Sequence, residues 1–491
     1  MAERADRTQA FRKNSAQYHD ERLTTHTMFQ KEVYINRRNQ LKKRIKSGVV
    51  LIPGNNEAPM NYAANTYPFR QDSTFLYFFG LDLPGLAGMI DIDNNREIIF
   101  GDDFTLEDII WTGPQPSVQE NAEKAGIDNT LPFDKLYETV SDALKNNRPV
   151  HFTPPYRHDN ILLLADLLKT GPREVSRQAS IELVRACIDL RSIKEPCEIE
   201  EMEAHMSVAL AMHVTAMKMA RPGVPEQKIA GALEGISLSH GGMVAFPVIC
   251  SVRGETLHNH SHNNILKDHD LLLVDAGSES PRHYATDHTR TTPSSGKFTD
   301  FQRNIYQIVL NANNNAIEAC RPGVPFKNIH MLACRTIAAG LKELGLMKGD
   351  IDEAIQEGAH ALFMPHGLGH MIGLDAHDME DYGDTLVGYN EEVQRSDQFG
   401  LAALRLGRQL QQGFTVTIEP GIYFIPALID DWKARKKFTR FINYEEVEKW
   451  KGLGGIRLED DVLITDQGAR ILGNRIPISI EEVEEITGSG F

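Results

Sequence analysis

The chain has 491 residues, 41% of them hydrophobic and 24% charged, an ordinary globular balance whose length predicts two or three domains. A net charge of −16 at pH 7 opposes general binding to nucleic acid or anionic membranes. The mean hydropathy is −0.34, and no uninterrupted apolar run approaches the ~20 residues of a membrane helix. The opening MAERADRTQAFRKNSAQYHDER is charged and lacks an apolar h-region, so it does not read as a signal peptide. Five cysteines (Cys187, Cys197, Cys250, Cys320, Cys334) lack CxxC spacing, which argues against a disulfide framework and makes a reducing cytoplasm the simplest location.

Residues 1–30 read as a polar, loosely held start. The basic stretch KEVYINRRNQLKKRIK (31–46) has apolar residues at mostly helical spacing and is predicted as a solvated amphipathic helix. GVVLIPG (48–54) reads as a buried strand, STFLYFFG (73–80) as an aromatic-rich strand, and GMIDIDNNREIIF (88–100) as a hairpin turning at Asp93-Asn94-Asn95. Segments 134–147 and 160–169 are helical, and the alternation predicts an α/β domain ending near Ser180. Beyond it a long helical pattern follows Pro196 and stops at RPGVP (221–225). The same pentapeptide recurs at 321–325 after another helical stretch, with Ile229 and Ile329 in register. Matching helix–stop–helix contexts predict an internally duplicated α+β unit, with a site expected between its halves.

Four segments of the second half place charge abnormally. In DLLLVDAGSESPRHYATDHTRTT (270–292), Asp275 directly follows a buried strand run, where a carboxylate is costly unless it is paired or on a metal; Asp287 sits toward the return strand. MPHGLGHMIGLDAHD (364–378) holds His366, His370 and His377. Gly367 and Gly369 make a helical HxxxH pair improbable and favour a loop or strand that approaches other backbone closely. FTVTIEPGIYF (414–424) and GIRLEDDVLIT (455–465) alternate as strands. Thr415, Thr417 and Glu419 share one face, and Arg457 lies two residues from Glu459; if that face is inward, Arg457 can orient a metal-binding carboxylate. The set Asp275, Asp287, His370, Glu419 and Glu459 offers hard oxygen donors and one nitrogen, which suits Mn²⁺, and Co²⁺ or Zn²⁺ less selectively. Spacing alone does not dictate that the five meet. If they do, four carboxylates make physical sense only around about two divalent ions, which can activate a shared water.

At these residues the chain resembles the pita-bread metallopeptidases, in the branch of Xaa-Pro aminopeptidases (aminopeptidase P) and Xaa-Pro dipeptidases (prolidases). VDAG, HGLGH, IEPGIY and GIRLEDD, in this order, carry the likeness, together with YPFRQDSTFLYFFG (67–80) in the N-terminal part. The resemblance implies an aminopeptidase P-type α/β N-terminal domain (1–180) and an internally duplicated α+β pita-bread catalytic domain (181–491). It also implies two divalent ions, most often Mn²⁺, on Asp275, Asp287, His370, Glu419 and Glu459. By the same carry-over His258 lines the substrate pocket, and His366 and His377 contact the scissile peptide. His377 stabilises the oxyanion, Glu419 takes the proton of the attacking water, and Arg457 steadies the site. Around His258 the pattern departs from the family's: Asn259 stands for a customary tyrosine, and His260 and His262 are additional and read as exposed loop residues. GLAALRLGRQLQQG (400–413) resembles the prolidase version, with Arg405 where prolidases hold a proline carboxylate; a surface helix arginine is the plainer alternative. The implied activity is cleavage between an N-terminal residue and a following proline, on short peptides, by a dimer or tetramer that engages neither nucleic acid nor membrane. The alternatives are a metal-free peptide-binding homologue of the fold and a hydrolase of phosphotriester-like substrates.

Overall fold

A computed structural model describes residues 28–489; the rest of the polar start, residues 1–27, lies outside the described residues. The N-terminal part is built on a five-stranded sheet ordered Thr130–Leu131, Arg96–Phe100, Ala87–Asp91, Val49–Pro53, Val150–His151. Its three central strands run antiparallel, with Asp91 opposite Arg96 across the expected hairpin, and each edge strand adds in parallel. Helices Lys135–Lys145 and His158–Leu167 bury Leu136, Val140 and Leu164 against one face of the sheet.

Two sequence expectations need correction here. Residues 73–79 form a helix, not a strand. The Asp72 side chain accepts the Phe75 N–H at its start, and Gly80 closes it at φ 67°. Every residue of the run is buried, so no alternation separates helix from strand, and the caps decide. The basic helix Lys31–Lys42 does not present a fully solvated face, because Arg37 and Arg38 are only 2% and 0% exposed. Arg37 donates to the Tyr77 carbonyl and pairs with Glu195; Arg38 donates to the Phe78 and Ala125 carbonyls and pairs with Glu97. Two cations are tolerated in the interior because they satisfy the open C-terminal carbonyls of the aromatic helix and meet carboxylates.

The C-terminal part is duplicated. Helices Pro196–Met219 and Glu226–Ser239 are separated by the first RPGVP, and Asp300–Ala319 and Phe326–Glu343 by the second. The copies fold alike. Gly223 and Gly323 adopt φ of 86° and 85°, which favours glycine, and their N–H groups donate to Leu266 and Leu410 across equivalent 2.8 Å bonds. Pro225 bridges Ile265 as Pro325 bridges Gln409. The first half adds an antiparallel sheet of Ile249–Ser251, Leu271–Ala276 and His288–Pro293; the second adds strands Thr415–Ile418, Asp460–Ile464 and Ala469–Ile471 and the pair Gly421–Tyr423 with Gly455–Arg457. The halves join edge to edge where Glu459 N–H donates to the Thr289 carbonyl at 3.0 Å. All five cysteines are free thiols, and Cys187, Cys250, Cys320 and Cys334 are buried. Among the described residues no helix is long and apolar enough to cross a membrane.

Candidate metal centre and substrate pocket

The seam between the halves gathers the acidic residues. Asp275 is the penultimate residue of strand Leu271–Ala276, Asp287 precedes strand His288–Pro293, Glu419 lies in the turn between the two strands at 415–423, and Glu459 sits between the strands at 455–464. His370 follows the glycines of the HGLGH loop. There, a Cβ on Gly369 would lie 2.0 Å from the Thr417 carbonyl oxygen, so this loop does run against backbone as its glycines predict. Thr417 N–H donates to the His370 carbonyl, and the His370 N–H donates to Thr417 Oγ1.

Donor atoms of Asp275, Asp287 and Glu459 lie within 4.8 Å of one another, and so do those of His370, Glu419 and Glu459, so Glu459 belongs to both groups. His370 Nδ1 donates to the Met371 carbonyl, which leaves the Nε2 lone pair directed within 3.5 Å of Asp287. Arg457 faces inward: it pairs with Asp275 at 2.6 Å, and donates to Thr289 Oγ1 and the Tyr423 hydroxyl. Thr289 in turn donates to Glu459 at 2.7 Å, and Asp287 N–H donates to Asp461 at 3.0 Å.

The electrostatics are those of a site built for cations. Burial, then repulsion from Asp275, pushes Asp287 well above the usual carboxylate range; burial and Asp287 do the same to Glu459. Burial also raises Glu419, although His370 and Arg457 pull against it. One arginine cannot neutralise four carboxylates, and Asp275 Oδ1 is buried with no hydrogen-bond partner. Oxygen-rich donors, a directed imidazole nitrogen and an orphaned carboxylate oxygen fit divalent metal ions.

The same residues line a cavity of about 860 Å³ shared with His258, His366, His377 and Arg405. His366 donates from Nδ1 to the Gly367 carbonyl and accepts the Tyr423 hydroxyl at Nε2; burial and Arg457 push its pKa down to about 3. The His377 ring lies with its centroid 4.2 Å from that of His370, tilted by 58°, and meets Glu380 at 3.1 Å. Arg405 binds both oxygens of Glu380 at 2.6 and 2.7 Å, so it reaches the pocket rather than lying on a solvated helix face. His260 is exposed, as expected of a loop residue, whereas His262 is half-buried on the Val248 carbonyl. Tyr423, Glu380, Thr289 and Asp461 were not singled out from sequence. Three of them lie inside the quoted strand and hairpin motifs, and Glu380 follows His377 by three residues. Residues of the N-terminal part, Asn55, Arg70 and Tyr156, form another wall; Arg70 pairs with Glu279 and donates to the Leu374 carbonyl.

Comparison with known proteins agrees with this layout. Residues 200–466 match the metallopeptidase family M24, and residues 34–151 match the aminopeptidase P N-terminal domain. The human Xaa-Pro dipeptidase is 30% identical over 460 residues, covering 90% of this chain and 89% of the relative. The Xaa-Pro aminopeptidase of Escherichia coli is 30% identical over 437 residues, covering 86% and 90%. A solved structure of E. coli aminopeptidase P with the inhibitor Pro-Leu superposes with a TM-score of 0.78 at 29% identity, covering 94% of this chain and 99% of that one. A zinc-substituted form of that enzyme in complex with product gives 0.77.

Proposed function

This chain belongs to metallopeptidase family M24, and from that premise we propose that it hydrolyses the bond between an N-terminal residue and a following proline. What supports the reading is the meeting of Asp275, Asp287, His370, Glu419 and Glu459 from both halves beside a peptide-sized cavity. We assign those five side chains to two divalent ions, Mn²⁺ by preference, with Co²⁺ or Zn²⁺ as alternatives. Bound there, such ions supply Lewis acidity and water activation at neutral pH.

The chain's own groups supply the rest. Glu419 takes the proton as water attacks the carbonyl. Arg457 fixes Asp275 and, through Tyr423, the ring of His366, which contacts the scissile peptide. His377 is the group for the oxyanion, through a proton on Nε2; burial and then His370 lower its pKa, and Glu380 at Nδ1 opposes them. His258 lines the substrate side. The Xaa–Pro bond is a tertiary amide with no N–H for a protease to grip, so recognition falls on the ends of the peptide. Arg405 is the group for a terminal carboxylate, held ready by Glu380 and able to bind a proline carboxylate in a bidentate fork. The wall of Asn55, Arg70 and Tyr156 limits how far the peptide extends. We further propose a domain boundary near residue 180, a homo-oligomer, and a cytoplasmic location.

The test is an assay of matched Xaa-Pro and Xaa-Pro-Yaa peptides, and a phosphotriester, with metal-stripped protein before and after Mn²⁺. Mn²⁺-dependent release of the first residue from either peptide is expected. Turnover of the phosphotriester alone, or no Mn²⁺ response, overturns the assignment.

A further inference from the structure

A second group of buried donors lies apart from the acidic seam. His330 and Cys334 stand one turn apart on helix Phe326–Glu343, and His360 lies in the short 3₁₀ turn Ala359–Leu362 that leads into the HGLGH loop. His330 and Cys334 are 0% exposed and His360 is 2% exposed. Cys334 Sγ lies 3.4 Å from His330 Nε2, and one donor atom from each of the three residues falls within 4.8 Å of the others. His330 Nδ1 and both ring nitrogens of His360 have no hydrogen-bond partner. Leaving such groups buried and unpaired is costly, so an all-protein core gives no reason to keep two imidazoles here.

We infer that His330, Cys334 and His360 form a binding site for one thiophilic d¹⁰ metal ion, Cu⁺ or Zn²⁺, distinct from the acidic centre. The donor set is soft, two imidazoles and a thiolate, where the acidic centre is hard. Bonds of about 2.0–2.3 Å place donors roughly 3.3–4 Å apart, a separation the trio reaches by small side-chain rotations. Burial holds both rings neutral, with the pKa of His330 down to about 3 and of His360 down to about 4, so their lone pairs are free. Burial also pushes the Cys334 thiol up to about 12, so the ion displaces a proton: the S–H bond breaks, the sulfur–metal bond forms, and the proton leaves to solvent. With Cu⁺ and one thiolate the site is electrically neutral and complete with three donors, whereas Zn²⁺ leaves one positive charge and calls for a fourth ligand. The dry surroundings therefore favour Cu⁺. Either ion ties helix Phe326–Glu343 to the segment that carries His366 and His370.

The test uses the full-length, metal-stripped chain and its Cys334→Ala and His360→Leu variants, with Cys334→Ser as a milder replacement should either fold poorly. One arm titrates Cu⁺ anaerobically against a chromophoric chelator. The other titrates Co²⁺, as a stand-in for Zn²⁺, and reads the thiolate-to-cobalt band in the near ultraviolet, which the carboxylate and imidazole donors of the acidic centre cannot produce. One equivalent of Cu⁺ retained by the wild type and lost in the variants assigns the site to copper. A Co²⁺ thiolate band lost in the variants assigns it to zinc. Neither signal in the wild type, or signals unchanged by the substitutions, overturns the inference.

Discussion

The two halves of the catalytic part share a scaffold but not a workload. Each contributes a helix pair split by RPGVP, with a left-handed glycine and the same cross-bridge after it. The first half supplies Asp275 and Asp287 from the margins of one hairpin. The second supplies His370, Glu419 and Glu459, and its longer connection, residues 344–414, also carries His366, His377 and Arg405. A repeated framework fixes where the halves meet, and the unrepeated connection holds three of the four groups proposed to touch substrate, His258 being the fourth, as expected when binding residues ride on loops set by a rigid scaffold.

That comparison can be broken from either side. Asp287→Ala in the first half and His370→Ala in the second should each lower Mn²⁺-dependent cleavage of Xaa-Pro peptides by more than about 100-fold, beyond the ~10–100-fold cost of losing a group that merely orients a ligand. Activity surviving either change would mean that one half suffices. Arg405→Ala tests the unrepeated connection. It should reduce kcat/KM on Xaa-Pro dipeptides by about 10–100-fold, the loss of a charge-assisted pair, and leave Xaa-Pro-Yaa tripeptides much less affected. Equal losses would separate Arg405 from the carboxylate.

The scaffold itself is probed by Gly223→Ala and Gly323→Ala. Nothing lies within 4 Å of a Cβ at either position, so only the left-handed backbone opposes alanine, and each change should cost about 1–2 kcal/mol in denaturant unfolding. Clearly unequal costs would argue against equivalent halves. The smallest effect is expected at His283, which ties the first half to Asp82 of the N-terminal part. Burial lowers its pKa, but hydrogen bonds to Asp82 and Glu279 outweigh that and raise it to about 9. A folded-state pKa above the ordinary value of about 6.5 means the contact stabilises fully below that pH and fades as pH rises through about 9. The melting temperature of the wild type should thus fall relative to His283→Gln by no more than about 2–4 °C between pH 6 and 10.

Much of this was legible in the chain. The hairpin at Asp93-Asn94-Asn95 follows from turn chemistry, and the duplication from a pentapeptide whose second proline and glycine demand one local backbone. Asp275 stands out because a carboxylate after a buried strand run is costly, whereas the full set of five ligands comes from the family resemblance carried by VDAG, HGLGH, IEPGIY and GIRLEDD. The aromatic run at 73–79 was misread because a segment buried on all sides carries no periodicity, and the fate of Arg37 and Arg38 was hidden because their partners, the Tyr77 and Phe78 carbonyls and Glu195 and Glu97, are remote in sequence. Local propensity, spacing and the cost of a lone charge are properties of short stretches, so the amino-acid order alone marked the repeat, the hairpin at 88–100 and the residues that could serve as donors. Only the folded chain decided that Glu459 stands in both donor groups, that Arg405 meets Glu380, and that His360 closes on His330 and Cys334. Each of these depends on distances between segments that local sequence does not encode.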